Sequence, residues 1–170
     1  HLVHQLLSLA RNEAEVRLQP LDVAALARDV AREWTPRALK AGVDLGFEGL
    51  DHAQVAGEAL LLREALNNLI DNALTYAGSG SEVTLSVRAQ AQQVVLEVAD
   101  NGPGLPANDV PRVFERFWRA SDLPGGCGLG LSIVSEFAQR HRGHASSLPA
   151  LPRGLRVQMW LPALNTETER

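Results

Sequence analysis

The sequence is poor in several kinds of residue, and each scarcity excludes a class of protein. A single cysteine, Cys127, in 170 residues excludes an internal disulfide framework and a cysteine-rich metal site. Aromatic residues make up 5% of the chain and the formal net charge is −4, so a surface that stacks nucleic-acid bases is not expected. No apolar run approaches the roughly 20 residues that a membrane-spanning helix needs.

Lysine is the scarcest charged residue. Lys40 is the only lysine among the 16 basic residues, and the others are arginines. A P-loop needs a lysine followed by Ser or Thr after its glycines, whereas Lys40 stands in the sequence Leu-Lys-Ala-Gly. The P-loop type of nucleotide site is therefore excluded.

What the chain does contain is the composition of an ordinary globular domain, with 45% hydrophobic and 21% charged residues. Apolar periodicity, capping residues and turn residues predict helices over 1–16, 22–40, 58–77 and 129–141. Alternating patterns predict strands over 43–47, 81–88, 93–99, 144–148 and 155–161, with hairpins at 91–92 and 149–154. This order favours an α+β fold: a two-layer sandwich with three helices on one face of a mixed, mostly antiparallel sheet of about five strands.

One face of the predicted helix over 58–77 is polar in an unusual way. At about 100° per residue, Glu64, Asn68, Asn72 and Thr75 share a face opposite to the apolar one. Exposed helix faces usually carry Lys, Glu and Arg, whereas asparagine is a poor helix former. The stripe is therefore either an exposed face or a ligand site, and amide oxygens suit Mg²⁺ that is also held by phosphate oxygens.

Two loops rich in glycine follow this helix, and each has two interpretations. Asp100-Asn-Gly-Pro-Gly104 comes directly after a predicted strand, and its aspartate can accept a hydrogen bond from an exocyclic amine. Gly126, Gly128 and Gly130 open the last predicted helix, where free backbone N–H groups and the helix dipole attract an anion. Taken singly, the first loop is equally a plain turn and the second equally a flexible hinge.

The stretch between these loops is also rich in proline and too long to be an ordinary connection, so we expect it to be functional. Its residues 114–119 read Phe-Glu-Arg-Phe-Trp-Arg. The aromatic residues could anchor a lid, and the two arginines could meet phosphates. The alternative is an amphipathic turn that packs Phe114 and Phe117 into the core.

Together these blocks resemble the catalytic and ATP-binding domain of bacterial sensor histidine kinases. Its Bergerat, or GHKL, fold is shared with type II topoisomerases, a heat-shock chaperone and mismatch-repair proteins. Residues 64–76 resemble the N box, 100–104 the G1 box, 114–119 the F box and 126–131 the G2 box. Each box is a weak or moderate signal alone, but four in this order at compatible spacing are a strong one.

The resemblance implies a role for each box in binding ATP and Mg²⁺. Asn72 would hold the metal with Asn68 assisting or contacting phosphate, and Glu64 matches the acidic position that activates water in the hydrolysing relatives. Asp100 would accept a hydrogen bond from the adenine amino group. The other implied nucleotide contacts are Tyr76, Gly102, Gly104, Phe114, Arg116, Arg119, Gly126, Gly128, Leu129, Gly130 and Leu131.

The chain departs from the family pattern in two places that bear on nucleotide affinity. Thr75 stands where many members carry Lys or Arg, and the lid segment 120–125 is short for the family. The phosphoacceptor signature, a histidine followed by an acid and Thr-Pro or Asn-Pro, is absent, and neither His1 nor His4 has those neighbours. We therefore expect the acceptor histidine to lie outside this chain.

The resemblance also implies a domain layout. The chain begins at His1 without a methionine or a charged leader, so we expect a piece of a longer protein. Residues 1–18 resemble the end of the second dimerisation and histidine-phosphotransfer helix with its linker. Residues 19–163 would form the catalytic domain, and 164–170 a disordered tail.

The implied whole protein is an ATP- and Mg²⁺-dependent protein-histidine kinase of a two-component system. Its partners would be its own dimerisation domain and a response regulator, with no nucleic acid. It would be a membrane-anchored homodimer, and this chain would be a cytoplasmic domain of that bacterial inner-membrane protein. Two alternatives stay open from the sequence: an ATP hydrolase of the same fold, and a non-catalytic interaction module.

Overall fold

The computed structural model describes residues 17–119 and 130–164, so the predicted helix over 1–16 and the tail after Leu164 lie outside the described residues. The described part holds three α-helices, one 3₁₀ helix and seven strands. In chain order they are β1 (Gln19–Asp22), α1 (Val23–Ala41), β2 (Asp44–Gly49), β3 (Gln54–Gly57), α2 (Ala59–Ala77), β4 (Glu82–Gln90), β5 (Gln93–Asp100), the 3₁₀ helix (Val110–Phe114), α3 (Gly130–Arg140), β6 (His144–Pro149) and β7 (Leu155–Pro162).

The main sheet has five strands in the order β2-β4-β5-β7-β6. β2 runs parallel to β4, and the other three neighbouring pairs are antiparallel. The two hairpins form where the turn signals predict them. In the first, Ala91 and Gln92 both have positive φ, at 50° and 63°, as a two-residue turn matched to the strand twist requires. The mixed, mostly antiparallel five-stranded sheet is confirmed.

The apolar core lies between this sheet and the three helices. Val83, Leu85 and Val87 alternate along β4 and are fully buried in the core, where β4 packs against α1 and α2. This arrangement confirms the two-layer sandwich with helices on one face. The sheet therefore serves as a rigid base on which α2, α3 and the loop after β5 are held.

The other face of the sheet carries a buried polar cluster around Glu97. Its carboxylate accepts hydrogen bonds from Arg156 Nη2 at 2.8 Å and Gln158 Nε2 at 2.6 Å. Burial alone would raise the pKa of Glu97, but these donors, with the charges of Arg156 and Arg88, hold that pKa below its usual value. The cluster joins the two long central strands β5 and β7 through side chains as well as through the ladder.

The predicted caps of α1 are confirmed. Asp22 accepts hydrogen bonds from Ala24 N–H at 3.2 Å and Ala25 N–H at 3.3 Å, which satisfies two of the free donors at the helix start. Gly42 closes the helix in the left-handed region with φ 73°, and its N–H donates to the carbonyls of the last turn. Sequence signals of this local kind determine both ends of the helix.

A second, two-stranded sheet was not predicted. β1 and β3 pair antiparallel, with Pro20 opposite Ala56, and neither segment was among the predicted strands. Leu164 joins the same strand, since its N–H donates to Gln54 O at 2.8 Å. Each strand is four residues long, so neither carries enough alternation to be visible in the sequence.

Candidate functional site

The polar stripe of α2 faces a buried environment at Asn68. This residue is 8% exposed, and its Nδ2 is buried with no hydrogen-bond partner among residues 17–119 and 130–164. Asn67, one residue earlier, turns to the other side of the helix and accepts a hydrogen bond from Trp34 Nε1 at 2.8 Å. A buried donor without a partner is costly, so the Asn68 amide is the atom on α2 that most needs a ligand.

The other members of the stripe are partly buried. Glu64, Asn72 and Tyr76 lie along the same helix at intermediate exposure. Thr75 donates its hydroxyl to the carbonyl of Asp71 at 2.8 Å, so its side chain bonds within the helix and brings no positive charge to the site. Burial raises the pKa of Asp71, and the charge of Arg37 opposes that shift.

The loop over 100–104 begins at the end of β5 with a carboxylate that is held in place. Asp100 Oδ1 accepts a hydrogen bond from Gly102 N–H at 2.9 Å, and the backbone N–H of Leu155 also acts to lower the pKa of this carboxyl group. Burial raises the pKa of Asp100, although both N–H groups act in the opposite direction. The result is a partly buried, oriented acceptor at a strand end.

Gly102 places this loop directly on α2. A Cβ added to Gly102 would lie 2.7 Å from Ala77 Cα and 3.0 Å from Ala77 O, at the last residue of the helix. Glycine is therefore required for the contact rather than for a special backbone angle. Asn101 anchors the loop on the sheet as well, because its Oδ1 accepts a hydrogen bond from Glu82 N–H at 2.7 Å.

The helix α3 lies beside α2 and carries part of a predicted box. It packs against α2, and its first residues, Gly130 and the buried Leu131, belong to the predicted G2 box. At its far end the buried His141 accepts a hydrogen bond at Nε2 from Glu58 N–H at 3.0 Å, which joins the end of α3 to the start of α2. Burial lowers the pKa of His141, so the neutral ring that this bond needs is favoured.

The predicted amphipathic turn, which was to pack Phe114 and Phe117 into the core, forms only in part. Phe114 packs against the core, but Phe117 has φ 65° and is 70% exposed. Packing of Phe117 into the core is thus wrong: the turn that brings Trp118 onto the core directs Phe117 outwards. Arg116 Nη2 lies 3.5 Å from Glu136 Oε1 on α3, and Arg119 is partly buried.

Several predicted contacts cannot be placed. Gly126, Gly128 and Leu129, the lid segment 120–125, and Cys127 all lie outside the described residues. Of the remaining predicted residues, the structure brings the stripe of α2, the 100–104 loop and the start of α3 to one side of the sheet. Their contacts with a nucleotide stay predictions.

The turn over 150–154 was missed as part of this site. Arg153 Nε donates to the carbonyls of Asn101 and Gly102, each at 3.0 Å, and Leu155 follows with an N–H that acts on the Asp100 carboxylate. In the sequence these residues read only as a hairpin connection. The pairing of β5 with β7 brings them beside the loop, and no local pattern reports that pairing.

The residues present fit a magnesium ion that is shared with phosphate. Within residues 17–119 and 130–164 there is no group of three or more His, Cys, Asp or Glu side chains that could hold a metal by itself. A metal here would depend on amide oxygens and on a ligand's own oxygens, which is the way Mg²⁺ is held in phosphate-transfer sites. The Asn68 amide suits that arrangement, because its nitrogen could donate to a phosphate oxygen and its oxygen could serve as a ligand of the metal.

Known proteins match this chain in sequence and in fold. The model of the family described as histidine kinase-, DNA gyrase B-, and HSP90-like ATPase matches residues 57–165. Sensor protein kinase PmrB of Pseudomonas aeruginosa is 35% identical over 175 residues, covering 99% of this chain and 36% of PmrB. The chain thus spans about a third of the length of this relative.

Two solved structures are similar. Full-length ShkA, crystallised in complex with AMPPNP, superposes with a TM-score of 0.84 at 30% identity, covering 97% of this chain and 36% of ShkA. A mycobacterial sensor histidine kinase, MprB, superposes with a TM-score of 0.77 at 26% identity, covering 85% of this chain and 98% of that one. The resemblance predicted from the four boxes is confirmed by these matches.

Proposed function

We propose that this chain transfers the γ-phosphoryl group of Mg²⁺-bound ATP to a histidine. The chain belongs to the family of histidine kinase-, DNA gyrase B- and HSP90-like ATPases. It is an ATP-binding catalytic domain of the sensor-kinase type. The acceptor lies on a separate dimerisation domain, and the phosphoryl group passes on to a response regulator. The observation that carries the proposal is the close packing of the 100–104 loop against Ala77, the last residue of α2. That contact puts an oriented carboxylate beside the helix that carries the unpartnered Asn68 amide.

Base recognition falls to Asp100. Its carboxylate is half-buried and already oriented by the hydrogen bond from Gly102 N–H, so little order is lost when an exocyclic amine donates to it. Guanine presents a carbonyl oxygen at the corresponding position and would meet a carboxylate with the wrong polarity. We therefore expect adenine nucleotides to bind in preference to guanine nucleotides.

Phosphate positioning falls to α2 and the start of α3. Asn72 and Asn68 offer amide groups to the metal and the phosphate oxygens, and the N–H groups at Gly130 and Leu131 open a helix whose dipole favours negative charge. Mg²⁺ supplies charge neutralisation on the phosphates when it is bound. Phosphoryl transfer needs little covalent chemistry from the protein, so correct placement of these groups is the main requirement.

Arg116 has to change partner to take part. In the structure it pairs with Glu136 on α3, and both side chains are substantially exposed. Exposed ion pairs of this kind contribute little to stability, so a phosphate group can compete for the arginine at small cost. Glu64 has at most a secondary, base-like role, because a neutral histidine attacks through the ring nitrogen that carries no proton.

We propose that the full protein is a membrane-anchored homodimer with this chain on the cytoplasmic side of a bacterial inner membrane. The support for a longer protein is that this chain matches only about a third of PmrB, which is named a sensor protein kinase. In the described part of the chain no helix is long and apolar enough to cross a membrane. The dimerisation domain and the response regulator are then the partners, and nucleic acid is not.

The test is calorimetric titration of the chain with ADP in the presence of Mg²⁺ and again with a chelator. Wild-type chain should bind, binding should weaken without the metal, and Asp100→Asn should abolish it. Asp44→Asn is the matched control, because Asp44 is an exposed aspartate on the edge strand β2. Absence of heat for the wild type, or unchanged binding by Asp100→Asn, would favour the interaction module instead.

Label transfer separates the kinase from the hydrolase. Incubated alone with γ-labelled ATP, the chain should not become labelled, because its acceptor lies elsewhere. Steady release of phosphate that Glu64→Ala abolishes would point to an ATP hydrolase. Stable incorporation of label into the chain itself would contradict the assignment of the acceptor.

A further inference from the structure

The turn between β6 and β7, residues 150–154, lies against the 100–104 loop. Arg153 reaches across from the turn, and its Nε donates to the carbonyls of both Asn101 and Gly102 at 3.0 Å. A guanidinium donor between two carbonyls is a charge-assisted hydrogen bond, which is stronger than a neutral one. The arginine thus clamps the backbone of the loop just after Asp100.

The backbone of the turn fits the same loop closely. A Cβ added to Gly154, whose φ is 112°, would overlap the carbonyl oxygen of Asp100. A Cβ added to Gly104 would in turn lie 3.0 Å from Gly154 O. The turn and the loop therefore touch through main chain, with no room for side chains between them.

The same junction orients the Asp100 carboxylate. Its N–H donor is Gly102, whose carbonyl is held by Arg153, and the backbone N–H of Leu155, the second residue after Arg153, also acts on the carboxylate to lower its pKa. Both N–H groups therefore depend on how the turn sits against the loop. A shift of the turn would move the two groups that act on the carboxylate.

We propose that Arg153 is a positioning residue for base recognition: by clamping the carbonyls of Asn101 and Gly102 it keeps the Asp100 carboxylate aimed at the adenine amino group. This inference rests on the proposed nucleotide site and extends it to a turn outside the four boxes. Arg153 acts through the loop and need not touch the nucleotide.

The position of Arg153 separates this role from a general stabilising one. Arg153 is exposed, and the buried core is built without it. Its removal leaves the carbonyl of the exposed Asn101 to water and takes one donor from the buried Gly102, which costs the fold less than a core substitution does. The loss should instead appear in how well the loop presents Asp100 to a base.

The experiment compares Arg153→Ala and Arg153→Lys with Arg32→Ala in the 170-residue chain. Arg32 is the matched control, because it is an exposed arginine on α1 whose ion pair with Asp29 is also exposed. Affinities for ADP and GDP are measured by calorimetry and by competition, and melting temperatures are measured without nucleotide.

Arg153→Ala is expected to lower ADP affinity by about tenfold while GDP affinity stays nearly constant, so that the preference for adenine shrinks. Arg153→Lys keeps a cationic donor and should fall between alanine and wild type. Arg32→Ala should bind like wild type, and the melting temperature of Arg153→Ala should stay within about 2 °C of wild type.

Two results would overturn the inference while leaving the nucleotide site standing. One is unchanged ADP affinity in Arg153→Ala. The other is an equal loss of ADP and GDP binding together with a large fall in melting temperature, which would mark Arg153 as merely structural. If wild-type chain binds neither nucleotide, the proposed function itself fails, and this inference fails with it.

Discussion

Replacing Gly102 with alanine should separate the loop from α2 and cost the chain both stability and nucleotide binding. The added Cβ would lie 2.7 Å from Ala77 Cα and 3.0 Å from both Ala77 O and Asp100 Oδ1. Two of these atoms belong to the helix backbone and cannot rotate away. The third is the carboxylate oxygen that accepts the hydrogen bond from Gly102 N–H.

The size of the effect follows from these distances. Carbon atoms in comfortable contact are about 3.5 Å apart, so the loop has to move away from Ala77 by about 0.8 Å. Overpacking of this kind costs about 1–3 kcal/mol. For a chain of this length that corresponds to a fall in melting temperature of about 2–12 °C. The displaced loop also misaims Asp100, and losing a hydrogen bond to a charged group weakens ADP binding by about tenfold or more.

The matched control is Gly46→Ala in β2. Gly46 has no atom within 4 Å of an added Cβ, so alanine meets open space there. Its backbone lies outside the positive-φ region, and the substitution should be neutral or stabilise the chain by about 0.4–1 kcal/mol. Thermal melts and ADP calorimetry on both variants provide the comparison. The steric reasoning is refuted if Gly102→Ala melts and binds ADP as Gly46→Ala does.

Three further outcomes are expected. Without nucleotide at neutral pH, Asp100→Asn should raise the melting temperature, because burial raises the pKa of Asp100 and the charged carboxylate therefore costs stability. Thermal melts at decreasing pH should show that the difference in melting temperature between variant and wild type vanishes toward the unfolded-state pKa of about 4. Because burial lowers the pKa of His141, the stability that this residue contributes is complete above about pH 6.5 and is lost as the pH falls below that value. Protonation removes the nitrogen that accepts the hydrogen bond from Glu58 N–H. In a series of denaturation curves at different pH values, His141→Gln should therefore show a weaker dependence of stability on pH in this range. Lys40→Ala should leave ATP affinity unchanged, since Lys40 lies exposed in the last turn of α1, whereas Arg116→Ala should weaken it by about threefold to tenfold in calorimetry.

Much of the fold could be predicted because its signals are local. Asp22 and Gly42 mark the ends of α1 by capping, and Ala91 with Gln92 marks the first hairpin by its turn. Alternation along β4 shows which side chains face the helices. Such features depend on neighbours within a few residues, so the amino-acid order reports them directly.

The small sheet and the packing of the segment after Val110–Phe114 could not be predicted in the same way. β1 and β3 are short and pair across more than thirty residues, as Gln19 does with Gly57. Phe117 stands between Phe114 and Trp118, which both pack on the core, yet its backbone turns it outwards. In both cases long-range packing, which has no local pattern, made the choice.

The candidate site, too, was predicted in part from local patterns and decided in part by long-range packing. Periodicity alone placed Asn68 and Asn72 on one face of a helix, and motif order predicted an aspartate loop and a glycine-rich helix start around a nucleotide. Only the tertiary structure showed that Asn68 is buried and that its amide nitrogen has no partner within the described part of the chain. The fold also decided that Gly102 rests on Ala77. Arg153 clamps the loop because β5 and β7 pair as neighbours and bring residues some fifty positions apart into contact.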